Sequence, residues 1–264
     1  MKTIFLIVCY FILAACATST DEGAVGVQRK QFLLASSEQI ESEAAKSYEQ
    51  ILADGRQKKT LNINPTQVNR IQSIAQKLIP HTAIFRADAL KWKWEVNVMS
   101  VDELNAWCMP GGKMMFYTGI IEQLKLTDAE IAAVMGHEIA HALREHGRER
   151  YSQELAKQVG ASLLVMTGAV EEKYVQMGLM ASVFFSLKYG RDQESEADTV
   201  GLELMARAGY NPEEAVTLWK KMGAASGSAK LPQWLSTHPS GESRIREITA
   251  LLPKVMPLYN AARK

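Results

Sequence analysis

The chain has 264 residues, with 30 Lys and Arg against 29 Asp and Glu, and 47% of it is hydrophobic. That length supports one well-buried domain or at most two small ones, and the balanced charge gives no footing for a nucleic-acid partner. Of the three cysteines, Cys9 and Cys16 lie in the N-terminal segment, so Cys108 has no partner for an internal disulfide and the fold must stand without staples.

Residues 1–15, MKTIFLIVCYFILAA, join a basic Lys2 to an apolar run too short to span a bilayer, which is the layout of a signal peptide. Leu13-Ala14-Ala15-Cys16 resembles a bacterial lipobox; the resemblance implies cleavage before Cys16 and lipidation of that residue. Ala17 in the next position implies outer-membrane sorting. The bland alternative is an ordinary secretory signal that ends by chance in cysteine. The expected organisation is a lipoprotein signal peptide over 1–15, a membrane tether over 16–34 (loose across 17–30), and one folded domain over 35–264.

Ser36-x-x-Gln39 opens a helical pattern that runs to about Ala53, where Asp54-Gly55 stops it. Asn64-Pro65 starts a second helix that ends at Pro80. In "WKWEVNV" the residues Trp92, Trp94, Val96 and Val98 alternate with polar ones, the period of a half-buried strand. "LNAWCMPGGKMMFYTG" (104–119) places Pro110-Gly111-Gly112 between two β-prone runs and predicts a hairpin. Thr127-Asp128-Ala129-Glu130 is a capping box for a helix carrying "IAAVMGHEIAHALREH". Apolar segments at 159–170 and 175–187 read as core helices, each too short to cross a membrane. Further helices are expected at about 192–208, 212–222 and 241–251, with a small-residue loop at 223–230 between the last two. The fold class is α+β, mostly helical, with a small β-sheet.

"HEIAH" carries the chemistry. On a helix, His137 and His141 differ by about 40° and lie one turn apart, so both imidazoles reach one ion. Glu138 is turned about 100° from His137, near enough to hold a water beside that ion without binding it. A catalytic zinc takes three protein ligands and keeps one position open. His146 is rejected as the third, because it falls about 180° from His137 around a continuous helix; it reads as a solvent-side residue favoured by the helix dipole. The metzincin continuation would also need Gly at 144 and His at 147, where the chain has Arg144 and Gly147. Arg144, Arg148 and Arg150 read as a solvated helix end.

"RDQESEADTVG" (191–201) offers four carboxylates. With Glu194 at 0° on a helix, Asp198 and Gly201 fall within about 60° of it, while Asp192, Glu196 and Glu203 gather on the far side. Glu194 and Asp198 therefore point inward, Asp192 and Glu196 to water. Glu194 fits the third zinc ligand, and Asp198 is placed to accept the free N–H of a zinc-bound histidine. An inward ion pair with Arg191 or another base is the alternative. The expected contrast is that Glu194→Ala loses metal and Glu196→Ala keeps it. Cys108, a lone thiol in a strand, reads as a small buried hydrophobe.

His137-Glu138-x-x-His141 with Glu194-x-x-Ala197-Asp198 resembles the gluzincin-type zinc metallopeptidase family of HtpX, BepA, LoiP and the CAAX prenyl proteases. "NAWCMPGGKMMFYTG" is similar to the strand before that family's active-site helix, and "THPSGESRI" (237–245) to its His-Pro-x-x-x-x-Arg stretch. The resemblance spans roughly residues 35–250. It implies a zincin-type metallopeptidase domain with an active-site helix, one Zn²⁺ per chain, and substrate backbone pairing with an edge strand through Asn105, Ala106 and Trp107. Asn105 and the glycine pair serve hairpin geometry on the plainer reading. For His238 the resemblance leaves three roles: donating to the oxyanion with Arg244 organising the site, capping the open zinc position, or only entering a helix before Pro239. The chain lacks the transmembrane helices of HtpX and the helical repeats of BepA, so LoiP-like, lipid-anchored single-domain members are nearest in layout.

The resulting expectation is a zinc endopeptidase of the bacterial envelope, held to the membrane by a lipid anchor on its periplasmic face. It would hydrolyse unfolded or misassembled envelope proteins with broad choice. The competing class is a non-catalytic zinc lipoprotein acting as a holdase.

Overall fold

A computed structural model describes residues 16–166, 189–225, 233–238 and 242–264. The signal segment 1–15, residues 167–170 of the first apolar segment, all of the second (175–187), residues 226–230 of the small-residue loop and Pro239 lie outside these. No helix of the described residues is long and apolar enough to cross a membrane.

Strand β1 (Cys16–Ala17) pairs antiparallel with β2 (Gln31–Phe32). Helix α1 (Ser37–Gln57) follows, its N-terminus capped by the Ser36 hydroxyl accepting from the Gln39 N–H. Helix α2 (Pro65–Leu78) starts at Asn64, whose side chain accepts from Gln67, with proline at the first helical position. Two 3₁₀ turns then lead into a three-stranded sheet of β3 (Glu95–Met99), β4 (Ala106–Met109) and β5 (Lys113–Tyr117). β5 is central, parallel to β3 and antiparallel to β4. The expected hairpin is the β4–β5 pair. Its turn uses Gly111 and Gly112 at φ 76° and 77°, a region that only glycine enters without strain.

Period-two alternation gives the sheet two faces. Met114 and Phe116 of β5 enter the main core, whereas Met115 packs with Ala44, Tyr48 and Leu52 of α1. Val98 and the partly buried Trp92, Trp94 and Val96 share the main-core face, as their spacing predicts.

A short α3 (Thr118–Gln123) leads to α4 (Asp128–Leu143), which opens on the expected capping box: Glu130 N–H to Thr127 Oγ1 at 3.3 Å, and Thr127 N–H to Glu130 Oε2 at 2.8 Å. Every residue of α4 from Glu130 to Leu143 is buried, so this helix is the axis of the domain. Helix α5 (His146–Met166) comes next, then α6 (Arg191–Arg207), α7 (Glu213–Ala225), the short α8 (Gln233–Thr237) and α9 (Glu242–Ala262). α9 runs well past the expected stop at residue 251. Pro253 and Pro257 remove two N–H groups, but Val255 is fully buried, and packing carries the helix through.

The segment expected to be a loose tether folds back onto the domain. Val25 and Val27 join the main core, the Asp21 N–H donates to the Phe85 carbonyl, and the Val25 N–H donates to Glu203. Two valines and a few directed hydrogen bonds are enough to dock this short strap.

α4 and α6 cross at glycines. A Cβ on Gly136 would lie 2.7 Å from the Gly201 carbonyl oxygen, and one on Gly201 would lie 2.7 Å from both Gly136 C and His137 N. These are backbone atoms, which cannot swing aside. Gly201→Ala is therefore expected to cost about 1–3 kcal/mol by forcing the helices apart. Thermal unfolding checks this; a midpoint equal to the parent's would show that the contact is not tight.

Candidate metal centre

The glycine crossing brings the sequence-predicted residues together. His137 and His141 lie one turn apart on α4, facing Glu194 of α6, and all three are almost fully buried. His137 Nε2 lies 3.1 Å from His141 Nε2, and each nitrogen lies 3.6 Å from a Glu194 oxygen. His238, at the end of α8, adds its Nδ1 at 3.2 Å from His137 Nε2 and 2.8 Å from Glu194 Oε1. Ligand atoms of these four residues all fall within 4.8 Å of one another. Four donors at zinc's bonding radius of about 2.0–2.1 Å would stand about 3.3 Å apart at tetrahedral angles, so the spacing fits.

The proton pattern fits as well. His137 Nδ1 faces Asp198 Oδ1 at 3.0 Å, and a carboxylate only accepts, so the ring proton sits on Nδ1 and the Nε2 lone pair faces the cluster. Burial pushes His141 well below its ordinary value, reinforced by His137 and His146, and keeps it neutral. Two imidazoles turned towards one point plus one carboxylate make a donor set suited to zinc.

Arg244 on α9 straddles the two carboxylates. Its Nε donates to Asp198 Oδ2 at 2.7 Å and another of its N–H groups to Glu194 Oε2, while its plane stacks 3.5 Å from the Trp219 ring. The ion-pair alternative weighed for Glu194 and Asp198 is thus also met, by Arg244 rather than Arg191. Burial alone would raise both carboxyl groups. His238, Arg244 and His137 outweigh it and hold Glu194 below the usual range; Arg244 and His137 bring Asp198 to about 2. Burial would lower His238, but Glu194 and Glu138 prevail and raise it.

Glu138 lies beside the cluster, its Oε1 accepting from the Trp234 indole at 2.8 Å and standing 3.5 Å from His238 Nε2. A cavity of about 160 Å³ opens there, lined by Asn105, Trp107, Glu138, His141, Tyr189 and His238 among others. Ala106 and Trp107 lie on β4, at the sheet's edge, and Asn105 immediately precedes it. Asn105 also serves the hairpin, its carbonyl accepting from the Tyr117 N–H. Cys108 is buried, and burial pushes its thiol far up, in keeping with a structural role.

Three expectations are overturned. His146 is fully buried rather than solvent-side, 2.8 Å from His141 through their Nδ1 atoms. The helix projection failed because α4 ends at Leu143 and Glu145 takes φ 49°, so His146 starts a new helix at another angle. Glu196 is buried rather than in water, accepting from Arg144 and Arg29 and contacting His146. Its assignment to the face opposite Glu194 was correct, but the N-terminal strap and α5 cover that face. Glu203, on the same side, is likewise fully buried, held by Arg207 and the Val25 N–H. Arg144 is fully buried, and Arg150 stacks 3.9 Å from the Tyr189 ring, so neither belongs to a solvated helix end.

Residues missed altogether are Trp234, Trp219 and Tyr189, the last stacked on His141 at 3.8 Å. Their positions in the sequence carry no motif; only the aromatic type near the site hinted at them.

The profile described as Peptidase family M48 matches residues 65–252. The chain is similar to the mitochondrial metalloendopeptidase OMA1 of Arabidopsis thaliana, 40% identical over 151 residues, covering 57% of this chain and 30% of that protein. OMA1 of Schizosaccharomyces pombe is 36% identical over 167 residues, covering 61% and 48%. The beta-barrel assembly-enhancing protease of Escherichia coli is 24% identical over 204 residues, covering 74% and 41%. The chain thus spans less than half the length of these relatives. With the family match extending from α2 into α9 and enclosing His137, Glu138, His141, Glu194 and Arg244, the chain belongs to Peptidase family M48.

Proposed function

We propose that the chain is a zinc endopeptidase whose catalytic base is Glu138 and whose metal ligands are His137, His141 and Glu194. The carrying observation is the pair of imidazole Nε2 atoms 3.1 Å apart, His137 presenting a lone pair, with a carboxylate beside them, an arrangement that a cation between them stabilises. Zinc, when bound, polarises the scissile carbonyl and acidifies a water molecule. Glu138 takes the proton from the attacking water and returns it to the leaving nitrogen. The Trp234 indole holds Glu138 Oε1, leaving its other oxygen for this transfer. Asp198 orients His137, and Arg244 bonds Asp198 and Glu194 together. A substrate strand would add to β4, whose outer edge has no partner strand among the described residues and borders the cavity beside Glu138.

The position of His238 supports the capping role rather than oxyanion donation. Its Nδ1 lies within the cluster, 2.8 Å from Glu194 Oε1, at the place that a fourth ligand would take once a cation replaces the proton between them. On this reading the structure is a closed form.

Substrates are unfolded or misassembled proteins of a bacterial envelope, reached from a lipid anchor at Cys16, as in LoiP-like members. The lipobox-like Leu13-Ala14-Ala15-Cys16 and the similarity to a beta-barrel assembly-enhancing protease support this.

Glu138→Gln should keep zinc bound and abolish cleavage of an unfolded test protein; full turnover would favour the holdase reading. Glu194→Gln should lose metal in a chelator titration, whereas Asp192→Ala, exposed on the same helix, should keep it. Glu196→Ala no longer serves as that control. His238→Ala should raise cleavage, and a fall of about 100-fold would instead assign it to the transition state. Cys16→Ser should abolish fatty-acid labelling in a bacterial host and release the protein from the membrane fraction; unchanged membrane association would overturn the anchor.

A further inference from the structure

The two metal-facing histidines of α4 turn Nδ1 away from the cluster, but to different partners. His137 meets the carboxylate of Asp198. His141 meets a second imidazole: its Nδ1 lies 2.8 Å from His146 Nδ1, and His146 Nε2 lies 2.9 Å from Glu196 Oε2. Glu196 is fixed in turn by Arg144 at 2.8 Å and by Arg29 of the N-terminal strap at 3.0 Å. His141, His146 and Arg144 are all at least 98% buried, so water does not compete for these groups.

Direction follows from donor chemistry. Two guanidinium groups hold Glu196 as a carboxylate, which accepts and does not donate. A neutral His146 has one N–H, and Glu196 claims it at Nε2. His146 Nδ1 is then a lone pair, and the single proton between the two Nδ1 atoms belongs to His141. That leaves the His141 Nε2 lone pair facing His137 and Glu194. The opposite arrangement would put a proton on His141 Nε2 and remove it as a ligand.

We propose that His146, aligned by Glu196, is a positioning residue that sets the tautomer and ring plane of His141 for metal binding. Packing alone does not require both ring nitrogens of a buried residue to be bonded in line between a ligand and an ion-paired carboxylate. The relay also joins the strap to the metal centre through Arg29, although the two are distant in sequence.

The inference rests on the zinc reading of the site, and the experiment separates the two. In zinc-loaded wild-type protein with ¹⁵N-labelled histidine, NMR should find His146 as the Nε2–H tautomer and His141 protonated at Nδ1. Chelator competition should show His146→Leu, which strands the His141 N–H and Glu196, losing about 10- to 100-fold in zinc affinity. His146→Gln, whose amide can accept from His141 and donate to Glu196, should stay near wild type. A proton on His146 Nδ1 in the wild type, or wild-type zinc affinity in a folded His146→Leu protein, would overturn the proposal. So would equal losses in the Leu and Gln variants, which would make His146 a packing residue. If His146→Leu does not fold, the Gln variant and the wild-type tautomer decide. Wild-type protein that binds no zinc, or binds it undiminished after His141→Ala, would overturn the site reading itself.

Discussion

The contact between Gly136 and Gly201 is the constraint on which the centre depends. Two helices bring side-chain ligands onto one ion only if their axes approach closely, and here the backbones touch. Gly136 immediately precedes His137, and Gly201 lies two turns beyond Glu194, so the crossing lies inside the site rather than beside it. Any side chain at either glycine would lever the Glu194 carboxylate away from the imidazoles. The capping box at Thr127 fixes where α4 starts, and burial from Glu130 to Leu143 fixes how it lies.

A second requirement is charge. α6 buries Glu194, Glu196, Asp198 and Glu203, a concentration that would be costly without partners. Each is met from a different direction. Arg244 on α9 takes Glu194 and Asp198, Arg144 and the strap's Arg29 take Glu196, and Arg207 takes Glu203. The helix is thus acidic on both faces; its inner face lies against the metal centre, and on its outer face Glu196 and Glu203 are covered by α5 and the strap while Asp192 stays exposed. This explains why a segment that resembles a solvated acidic run is among the best-buried in the domain.

Helix α8 ties three parts of the site together. Trp234 donates its backbone N–H to the Leu104 carbonyl, just ahead of the edge strand, and its indole to Glu138. His238, four residues on, reaches the metal-facing donors. A five-residue helix therefore touches the edge strand's entry, the proposed base and the ligand cluster together.

The amino-acid sequence by itself determined the local pieces: the capping box, the hairpin turn, the alternation of the sheet and the phase of His137, His141, Glu194 and Asp198. Each follows from covalent spacing and backbone periodicity, which need no distant partner. What it did not reveal is what covers each face. The turn at Glu145 that redirects His146, the docking of the strap over Glu196 and the arrival of Arg244 and Trp234 depend on contacts between residues far apart along the chain. Helix phase separates one side of α6 from the other and places Asp192 in water, but only the tertiary structure decided that Glu196 and Glu203 on that same side are covered, because burial belongs to the packed elements and not to the segment alone.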